Sequence, residues 1–488
     1  MVLANKSVLV LGLGETGLSL VRWLAVHGAQ LRVADSRPHP PTLAEAHEAF
    51  PLLEIHCGAF HDNLLAGIDL IAISPGVSLQ LPFVQRAMMR GIPIVGDVEL
   101  FAQAFHASHP VHSQTGHSQT GHSQRSSAAT QNHEATPKII AITGSNGKST
   151  VTDMVGSMCR AAGLNTVVAG NISPAVLDAV LQLNKGLRGI QQPDVWVLEL
   201  SSFQLESTFS LNASAATVLN ISEDHLDRYE NMQAYSIAKA RIFQGEGVQV
   251  LNRDDPLSMG MAIDGRTQIS FGLSEPATKF DWGITQISGE TWLKQGQRRI
   301  LSTNILQVAG LHNVANALAA LALCCAVKIP LPPLLRALRD YRGLPHRVER
   351  VAEINNVLYY DDSKGTNVGA TVAALQGLQR PTVLIAGGEG KGQDFSPLLP
   401  AVAQHARAVV LIGRDAPLIA DALKDCGVPL QYATSMAEAV QQAAALAHSG
   451  DAVLLSPACA SFDMFKNYVH RAEVFINAVH TLQEEVRA

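Results

Sequence analysis

The stretch Gly144-Ser145-Asn146-Gly147-Lys148-Ser149-Thr150 decides how the middle of this 488-residue chain folds. It follows the apolar run Ile139 to Ile142 and precedes apolar residues at helical spacing. This order predicts a strand, a glycine-rich turn and a helix, whose N-terminal N–H groups would bind phosphate. Lys148 can then contact the outer phosphates, and the Ser149 hydroxyl can ligate magnesium. The strict phosphate-loop pattern has glycine where Ile142 stands, so an ordinary helix start is the alternative interpretation.

Composition and charge limit the class of protein. The length predicts about two to four domains, and 47% hydrophobic with 16% charged residues is typical of a soluble globular protein. The net charge of −6 argues against a nucleic-acid partner, so an anionic substrate must meet locally placed Lys and Arg. No apolar stretch reaches membrane-spanning length and no signal-peptide pattern is present, so we expect a cytoplasmic protein without membrane insertion. Six cysteines without a C-x-x-C pair predict reduced core residues.

A second glycine motif stands near the N-terminus. The run Ser7 to Leu11 predicts a strand, followed by Gly12-Leu-Gly-Glu-Thr-Gly17, a helical segment and a second strand that ends at Asp35. In this dinucleotide-type fingerprint the glycines let phosphate approach the backbone, and Asp35 can accept from a sugar hydroxyl. Strand-like runs at 70–73 and 92–95 extend an α/β domain over residues 1–106. The turn Ser74-Pro75-Gly76 follows a strand, where such folds bind ligands.

Residues 107–137 differ in kind from the rest of the chain. The sequence His112-Ser-Gln-Thr-Gly116 recurs as His117-Ser-Gln-Thr-Gly121, and aliphatic residues are scarce. Such a segment cannot bury enough apolar surface to offset the entropy lost on ordering, so we predict a disordered His/Ser/Gln-rich insert between two domains. Metal capture by its histidines is the alternative function.

Residues 138–343 predict a central domain whose strands end in polar side chains. One buried strand ends at Glu199 and another leads into Ser222-Glu-Asp-His225. Carboxylate, imidazole and hydroxyl groups at strand ends beside a phosphate loop suit a divalent metal, so we predict that Glu199 ligates magnesium. Capping of the following helix is the alternative role for Glu199.

Two helices of this central domain carry further polar residues. The first passes through Tyr235 and is predicted to carry Lys239 and Arg241. The second carries His312, Asn313 and Asn316, which suit hydrogen bonds to a nucleotide base or sugar.

Residues 344–488 predict a third domain in which strands alternate with helices. Polar loops follow three of these strands, at 361–367, 387–394 and 456–463. Ligands of open α/β sheets bind at the carboxyl ends of strands, so these loops predict a ligand site. The predicted fold class is therefore α/β with three domains: a Rossmann-like N-terminal domain, a P-loop-type ATP-binding central domain and a Rossmann-like C-terminal domain.

Five motifs together resemble those of the Mur ligases, the ATP-dependent amide-forming enzymes of peptidoglycan synthesis. They are Gly144 to Thr150, Glu199 to Gln204, Asp224 to Arg228, Asp361 to Asn367 and Ser456 to Lys466. The resemblance covers the chain outside residues 107–137. Within the family, the last two motifs resemble the D-glutamate-adding branch. The family's phosphate loop also departs from the strict pattern at the position of Ile142.

By this resemblance, the first domain binds the uridine nucleotide of a sugar substrate and not NAD. The residues that match the family's uridine-contacting loops are Glu15, Thr16, Asp35, Ser36 and Arg37. The expected UDP-sugar site also includes Ser74, Gly76, Asn171, Ser201 and Gln204.

The resemblance also implies ATP and two Mg²⁺ ions as cofactors. The expected ATP contacts are Gly144, Ser145, Asn146, Gly147, Lys148, Ser149, Thr150, Asn313, Asn316, Arg347 and Asp362. The implied metal ligands are Ser149, Glu199, His225 and Lys239, the last as a carbamate that replaces an ammonium by a metal-binding carboxylate. The expected catalytic residues are Lys148, Glu199, His225 and Lys239.

The implied reaction adds D-glutamate to UDP-N-acetylmuramoyl-L-alanine. The substrate carboxylate attacks the γ-phosphate of ATP, and the amine of D-glutamate then displaces phosphate from the acyl phosphate. The residues implied around D-glutamate are Lys364, Thr366, Lys391, Ser461 and Tyr468. Closure of the third domain would align the groups and exclude water. We expect only these small-molecule substrates as partners, and a monomer.

Three alternatives remain at this point. An NAD-dependent dehydrogenase would use the first glycine motif but leaves the second phosphate loop and the C-terminal loops unexplained. A sibling amide ligase of the folylpolyglutamate synthetase type shares the ATP half but gives no reason for a uridine-type first domain. A non-catalytic nucleotide-binding module is the third. NADH binding tests the first, and the choice of acceptor in an ATPase assay tests the second.

Overall fold

A computed structural model describes residues 2–109, 136–185, 192–225 and 228–487. The described chain forms two compact units. The first comprises residues 2–109, 136–141, 163–185, 192–214 and 241–247; the second comprises residues 142–162, 215–225, 228–240 and 248–487. The division falls inside one strand of the predicted central domain, so the units do not follow the predicted domain boundaries, which stay predictions.

Strands and helices alternate over residues 7–108. The strands are β1 (Ser7–Leu11), β2 (Gln30–Asp35), β3 (Glu54–Cys57), β4 (Leu70–Ile73) and β5 (Ile94–Val95), and the helices are α1 (Glu15–Val26), α2 (Leu43–Ala49), α3 (Pro82–Met89) and α4 (Asp97–Ser108), with a 3₁₀ turn at Asp62–Leu65. The strands form a parallel sheet in the order β3-β2-β1-β4-β5. This is the predicted Rossmann-like arrangement, although β5 is shorter than the predicted run at 92–95.

The first glycine motif joins β1 to α1 by a close backbone approach. A Cβ on Gly17 would lie 1.9 Å from the carbonyl oxygen of Gly12, so only glycine fits there. A Cβ on Gly12 would in turn lie 2.9 Å from the Cβ of Ser74, at the end of the neighbouring strand β4. The two loops therefore lie side by side at the carboxyl edge of the sheet.

Residues 138–340 contribute strands and helices to both units. The strands are β6 (Lys138–Thr143), β7 (Thr166–Gly170), β8 (Val195–Glu199), β9 (Ala215–Val218), β10 (Val248–Asn252), β11 (Gln268–Phe271), β12 (Trp282–Ile287), β13 (Glu290–Gln295) and β14 (Arg298–Ser302). The helices are α5 (Lys148–Ala161), α6 (Val176–Lys185), α7 (Ser202–Glu206), α8 (Met232–Ala240), α9 (Pro256–Met259), α10 (Leu311–Ala326) and α11 (Leu331–Asp340), with 3₁₀ turns at Arg241–Phe243 and Thr303–Ile305. Arg241 thus lies in a 3₁₀ turn, and its predicted place on the helix with Lys239 is wrong.

Within the first unit, β7 and β8 pair in parallel. Within the second, β9, β10, β11 and β12 are successive parallel neighbours, and β13 and β14 continue as antiparallel strands. Helix α5 buries its apolar residues Val151, Met154, Val155 and Met158, and it packs against α10 and α11. The helical spacing after the phosphate loop is therefore confirmed.

The remaining elements belong to the second unit. The strands are β15 (Glu349–Ile354), β16 (Val357–Asp361), β17 (Thr382–Gly387), β18 (Ala406–Ile412), β19 (Leu430–Tyr432) and β20 (Ala452–Leu455), and the helices are α12 (Val368–Leu378), α13 (Leu398–His405), α14 (Ala416–Ala422), α15 (Met436–Leu446) and α16 (Tyr468–Arg487). The sheet order is β15-β16-β20-β17-β18-β19, and only β15 runs antiparallel to its neighbour. Successive residues such as Val383 and Leu384 enter opposite core layers, as a strand covered on both faces requires. The predicted α/β class is confirmed.

Two predictions concern residues at the limits of the described chain. Helix α4 extends through Ser108, so residues 107–108 are helical and not part of an insert. Most of the predicted insert, residues 110–135, lies outside the described residues. None of the helices in the described ranges combines the length and the apolar character that a membrane crossing needs.

Candidate active site

The predicted phosphate loop lies between β6 and α5. Ile142 belongs to the buried strand β6, so the loop itself begins only at Gly144, which explains why glycine is not needed at position 142. Gly147 has φ +82°, and a Cβ there would lie 2.6 Å from Oδ1 of Asn316. Asn220 anchors the loop, because its carbonyl oxygen accepts from Ser145 N (2.9 Å) and its Oδ1 accepts from Asn146 N (2.8 Å). The loop is thus held open at the N-terminus of a 14-residue helix, a geometry that binds anions.

Lys148 and Ser149 begin the helix α5. Nζ of Lys148 donates to the carbonyl oxygens of Gly144 (2.9 Å) and Ser145 (2.8 Å), so the ammonium lies over the loop. The Ser149 hydroxyl accepts from Nη2 of Arg347 at 2.9 Å. The structure therefore brings these three predicted ATP contacts together.

Lys239 of α8 also reaches the phosphate loop. Its side chain is 1% exposed, and Nζ lies 2.9 Å from the carbonyl oxygen of Gly144, 3.4 Å from Oγ1 of Thr143 and 4.6 Å from the centre of the Tyr235 ring. Burial this complete removes most of the solvation of a lysine ammonium, a cost that its hydrogen bonds to the loop must offset.

His225 lies in the same unit, with its Nε2 3.6 Å from Oδ2 of Asp224. Burial lowers the pKa of this imidazole, the Asp224 carboxylate opposes that shift, and the positive charges of Lys391, Lys148 and Lys239 add to it. The neutral imidazole is the form that ligates a metal. Metal ligation by His225 stays a prediction.

Glu199 ends β8 in the first unit and is 2% exposed. Its Oε1 accepts from Nδ2 of Asn171 at 2.7 Å, whereas Oε2 has no hydrogen-bond partner among the described residues. Helix α7 is capped by Ser201, whose hydroxyl accepts from Gln204 N, with the Gln204 side chain returning to the Ser201 N–H. The capping alternative for Glu199 is therefore wrong. A buried carboxylate oxygen without a partner fits a metal ligand.

A cavity in the second unit adjoins the phosphate loop. Seven predicted ATP contacts line it: Asn146, Gly147, Thr150, Asn313, Asn316, Arg347 and Asp362. Leu219 and Phe271 add apolar surface, and Asn220, Asn252 and His312 add polar groups. Burial raises the pKa of Asp362 to about 7, while Oγ of Ser456 donates to its Oδ2 at 2.7 Å. A mixed apolar and polar cavity beside an anion-binding loop suits a nucleoside phosphate.

The first polar C-terminal loop, residues 361–367, contacts the phosphate loop directly. The side-chain amides of Asn146 and Asn367 exchange two hydrogen bonds, of 3.1 and 3.3 Å. Asn367 also caps α12 by accepting from Ala370 N. The expected amino-acid loop is therefore fixed against the expected ATP loop by residues that lie 221 positions apart in sequence.

The other two polar loops are joined to each other. Glu389 and Ala460 exchange two backbone hydrogen bonds of 2.9 Å. Lys391 is exposed with φ +53°, Ser461 is buried, and Nζ of Lys364 lies 3.8 Å from the centre of the Tyr468 ring. Thr366 directly precedes Asn367, the residue that caps α12. Lys364 and Tyr468 are thus in contact, while Lys391 and Ser461 belong to one connected pair of loops.

Comparison with known proteins identifies the family. The models that match are the Mur ligase MurD-like N-terminal domain at residues 6–96, the Mur ligase middle domain at residues 142–324 and the Mur ligase glutamate ligase domain at residues 346–459.

The chain belongs to the Mur ligase family.

Full-length relatives agree with this family. The chain is 57% identical over 483 residues to the UDP-N-acetylmuramoylalanine–D-glutamate ligase of Methylobacillus flagellatus. The match covers 99% of this chain and 98% of the relative. It is 54% identical to the enzyme of the same name from Nitrosospira multiformis, over 99% and 96% of the two chains. The crystal structure of UDP-N-acetylmuramate-alanine ligase MurC from Thermotoga maritima has the same fold, with a TM-score of 0.57, 19% identity and coverage of 98% and 100%.

Residues 6–96, which match the MurD-like N-terminal domain, lie in the first unit. Burial raises the pKa of Asp35, but hydrogen bonds from Arg37 and the backbone of Leu13 outweigh this and lower it to about 2. Its Oδ2 accepts from Leu13 N at 2.6 Å and from Nη2 of Arg37 at 2.6 Å. The Asp35 carboxylate, which is expected to accept a hydrogen bond from a sugar hydroxyl, thus already accepts hydrogen bonds from Leu13 and Arg37. Arg37 is itself one of the predicted uridine contacts.

Other predicted sugar-site residues are more dispersed. Oγ of Ser173 donates to Oε1 of Glu15 at 2.7 Å, and Asn171 binds Glu199 as described. Thr16 lies in the first turn of α1, and Ser36 follows β2 on the surface. Ser74 and Gly76 form the turn after β4, beside the first glycine motif.

The sequence did not indicate the role of Arg471, which is fully buried at the start of α16. Its guanidinium donates to Oγ (3.0 Å) and the carbonyl oxygen (2.7 Å) of Ser363 and to the carbonyl oxygen of Cys459 (3.0 Å). Burial lowers its pKa to about 10, with nearby acidic groups opposing the shift. Arg471 therefore fixes two of the polar loops to α16. An arginine in an otherwise ordinary helix carries no signal of this role before the fold is known.

Asp97 gives the first testable prediction. It begins α4, is fully buried, accepts from Nε2 of Gln204 at 3.1 Å, and its Oδ1 has no partner in the described part of the chain. Burial raises its pKa from 3.8 to about 6. Because the unfolded state ionises first as pH rises, the folded state loses about 3 kcal/mol of relative stability between pH 4 and pH 6. This stabilising contribution is present at acid pH and lost as pH passes the folded pKa.

Asp97→Asn keeps an acceptor for Gln204 but cannot ionise. The difference in melting temperature, variant minus wild type, is therefore expected to rise by several degrees from pH 4.5 to pH 7.5. Thermal unfolding followed by circular dichroism measures it. Asp264→Asn, which changes an exposed carboxylate, is the control and should give no such rise. A pH-independent difference for Asp97→Asn contradicts the prediction.

Proposed function

We propose that this chain is an ATP-dependent ligase that adds D-glutamate to UDP-N-acetylmuramoyl-L-alanine through an acyl phosphate. The observation that carries the proposal is the Asn146–Asn367 contact, which joins the phosphate loop to a C-terminal polar loop. A reaction that transfers a phosphoryl group and then admits an amine needs these two loops together. The names of the full-length relatives supply the substrates.

In the first step, a carboxylate oxygen of the UDP-sugar substrate attacks the γ-phosphorus of ATP and ADP leaves. The backbone N–H groups of residues 144–150 and the ammonium of Lys148 bind the phosphates and stabilise the charge that develops on the transferred group. Asn313, Asn316, Arg347 and Asp362 line the nucleoside cavity beside them. The first unit contributes Glu15, Thr16, Asp35, Ser36, Arg37, Ser74, Gly76, Asn171, Ser201 and Gln204 to the UDP-sugar site.

Magnesium fits the donor groups that are present. In the second unit the candidate ligands are the Ser149 hydroxyl and the neutral imidazole of His225. In the first unit the candidate is Oε2 of Glu199, which has no hydrogen-bond partner among the described residues. We propose two ions, which when bound neutralise charge on the phosphoryl oxygens. A carbamate on Lys239 would supply a further oxygen ligand. Its nitrogen keeps one N–H, so the hydrogen bond to the Gly144 carbonyl can persist after modification.

In the second step, the amine of D-glutamate attacks the acyl carbon and phosphate leaves. Lys364, Thr366, Lys391, Ser461 and Tyr468 are the proposed contacts of the amino acid. The loops that carry them are held by Arg471 and by the Glu389–Ala460 pairing. We further propose that the enzyme works as a cytoplasmic monomer, since each step uses groups of one chain and soluble nucleotides.

Phosphate release tests the function. The purified protein with ATP and Mg²⁺ is offered UDP-N-acetylmuramoyl-L-alanine or a folate acceptor, each with D-glutamate or L-glutamate, and products are identified by mass. We expect amide product only with the UDP-sugar and D-glutamate. Product from the folate acceptor would indicate a folylpolyglutamate synthetase, and NADH binding without ligation would indicate a dehydrogenase.

A second prediction concerns the amino-acid end of the site. Lys391→Ala and Ser461→Ala should raise KM for D-glutamate strongly and KM for the UDP-sugar much less. Loss of a hydrogen bond to a charged group costs roughly 1.5–3 kcal/mol, or about 10- to 150-fold in affinity. The serine should have the smaller effect, because a neutral hydroxyl is the weaker donor to a carboxylate.

Initial rates with each substrate varied in turn measure this effect. Lys424→Ala is the matched control, because it removes an exposed lysine from the same unit. Equal increases of KM for ATP, the UDP-sugar and D-glutamate would indicate that the two residues only shape their loops, and would remove them from the amino-acid site.

A further inference from the structure

His346 and Asp361 form a pair that no role described above explains. Nδ1 of His346 lies 2.7 Å from Oδ2 of Asp361, which is fully buried at the end of β16. Oδ1 of Asp361 accepts from Ser363 N at 2.9 Å, so the carboxylate is held from both sides. A carboxylate accepts a hydrogen bond, which places the imidazole proton on Nδ1 and leaves Nε2 as the nitrogen that can take a proton. The His346 side chain is 17% exposed, so part of it contacts solvent.

The backbone around His346 is strained. His346 has φ +63° and Val348 has φ +50°, a left-handed conformation that is rare for a β-branched residue. Such conformations are unfavourable for residues other than glycine, and they cluster at functional sites. With this backbone, the side chains of His346 and Arg347 point to different partners. Arg347 reaches the Ser149 hydroxyl at the phosphate loop, while His346 pairs with Asp361.

His346 also adjoins the expected amino-acid contacts. Lys364 N donates to the His346 carbonyl oxygen at 3.2 Å. The His346 ring lies 6.2 Å from the Tyr468 ring, centre to centre, in an edge-on arrangement, and Nζ of Lys364 lies over the same tyrosine ring. His346 is thus adjacent in sequence to a phosphate-loop contact and adjacent in space to two amino-acid contacts.

Charged and titratable groups from four elements surround this imidazole. Asp361 comes from β16, Glu349 from the start of β15, Lys364 from the 361–367 loop and Tyr468 from α16. Glu349 Oε2 accepts from His346 N at 2.8 Å. Ligand atoms of His346, Glu349 and Asp361 all lie within 4.8 Å of one another. The ring therefore lies beside two carboxylates, Asp361 through a hydrogen bond and Glu349 within 4.8 Å.

We propose that His346 is the general base that deprotonates the incoming amine, with Asp361 as its positioning residue. This inference rests on the proposed ligase function. The ammonium of D-glutamate gives one proton to Nε2, and its nitrogen lone pair forms the bond to the acyl carbon. The C–O bond to phosphate then breaks, and the second proton leaves with the phosphate. The products are the amide, hydrogen phosphate and an imidazolium that releases its proton to solvent.

His346→Asn tests this assignment. The asparagine amide can still donate to Asp361 but has no basic nitrogen. With D-glutamate, amide formation should fall about 10²- to 10⁴-fold, the usual contribution of a general base. With hydroxylamine, a nucleophile that is unprotonated at neutral pH and needs no base, hydroxamate should form at close to the wild-type rate. The D-glutamate reaction of the variant should also rise about tenfold per pH unit as free amine accumulates, more steeply than that of wild type.

Asp361→Asn should reproduce the selective loss in weaker form, because the ring is no longer held with its proton on Nδ1. His480→Asn, an exposed change on α16, is the control. Equal losses with D-glutamate and hydroxylamine in a folded His346→Asn protein would make the pair structural and overturn the proposal; His346→Gln repeats the test should the asparagine variant not fold. Absence of hydroxamate from the wild-type protein would instead contradict the ligase function itself.

Discussion

Lys239→Ala is expected to reduce ligase turnover by about 10³-fold or more while leaving the protein folded. The side chain is buried, and its nitrogen lies at the Gly144 carbonyl of the phosphate loop. A bare ammonium there would repel Mg²⁺, whereas a carbamate would bind it. The alanine variant loses that ligand and leaves a space where a small acid can enter. Added formate should therefore restore part of the activity, measured as phosphate release at saturating substrates.

Restoration of activity by formate distinguishes a carbamate on Lys239 from an unmodified lysine. Lys239→Arg keeps a positive charge but cannot form a carbamate, so it should be inactive and should not respond to formate. Lys424→Ala should behave as wild type with or without formate. If no small acid restores a folded Lys239→Ala protein, the carbamate is wrong, and the lysine acts as a cation bound to the loop carbonyl.

The local part of this architecture could be predicted from the sequence. Apolar runs and glycine turns located β1, β4, β6 and β20 to within a residue or so, because a parallel strand buried on both faces is a continuous apolar run. Gly17 was identifiable for the same local reason, a close approach to Gly12 within one turn. Polar residues placed directly after strands predicted loops at the carboxyl ends of β16, β17 and β20, and the structure has loops there. Ligand binding by these loops stays a prediction.

Long-range contacts could not be predicted in this way. The Asn146–Asn367 pair and the bonds from Arg471 to Ser363 join residues more than 100 positions apart, and a single sequence carries no record of such pairs. The sequence predicted magnesium ligation by Glu199 and left capping as the alternative, because a carboxylate before a helix suits both a metal and a cap. The observed cap at Ser201 removes the capping alternative, and magnesium ligation by Glu199 stays a prediction.

Lys148→Ala is expected to lower kcat/KM for ATP by at least about 10³-fold, since its ammonium is the positive charge nearest to the transferred phosphoryl group in the proposed mechanism. The lysine also donates to the carbonyl oxygens of Gly144 and Ser145, so its removal loosens the loop as well as removing charge. Lys148→Arg distinguishes the two effects. It restores the charge, but the planar guanidinium cannot reproduce the compact fit of an ammonium between two carbonyl oxygens, so it should recover only part of the loss.

Hydroxylamine trapping identifies the step that fails. Lys148 acts before the acyl phosphate exists, so Lys148→Ala should yield no hydroxamate above background, in contrast to the near-normal trapping expected for His346→Asn. ADP affinity, measured by calorimetry, should weaken far less than turnover, because charge stabilisation is greatest in the transition state. Near-normal hydroxamate formation by Lys148→Ala would place the lysine outside phosphoryl transfer and leave it a purely structural role in closing the loop.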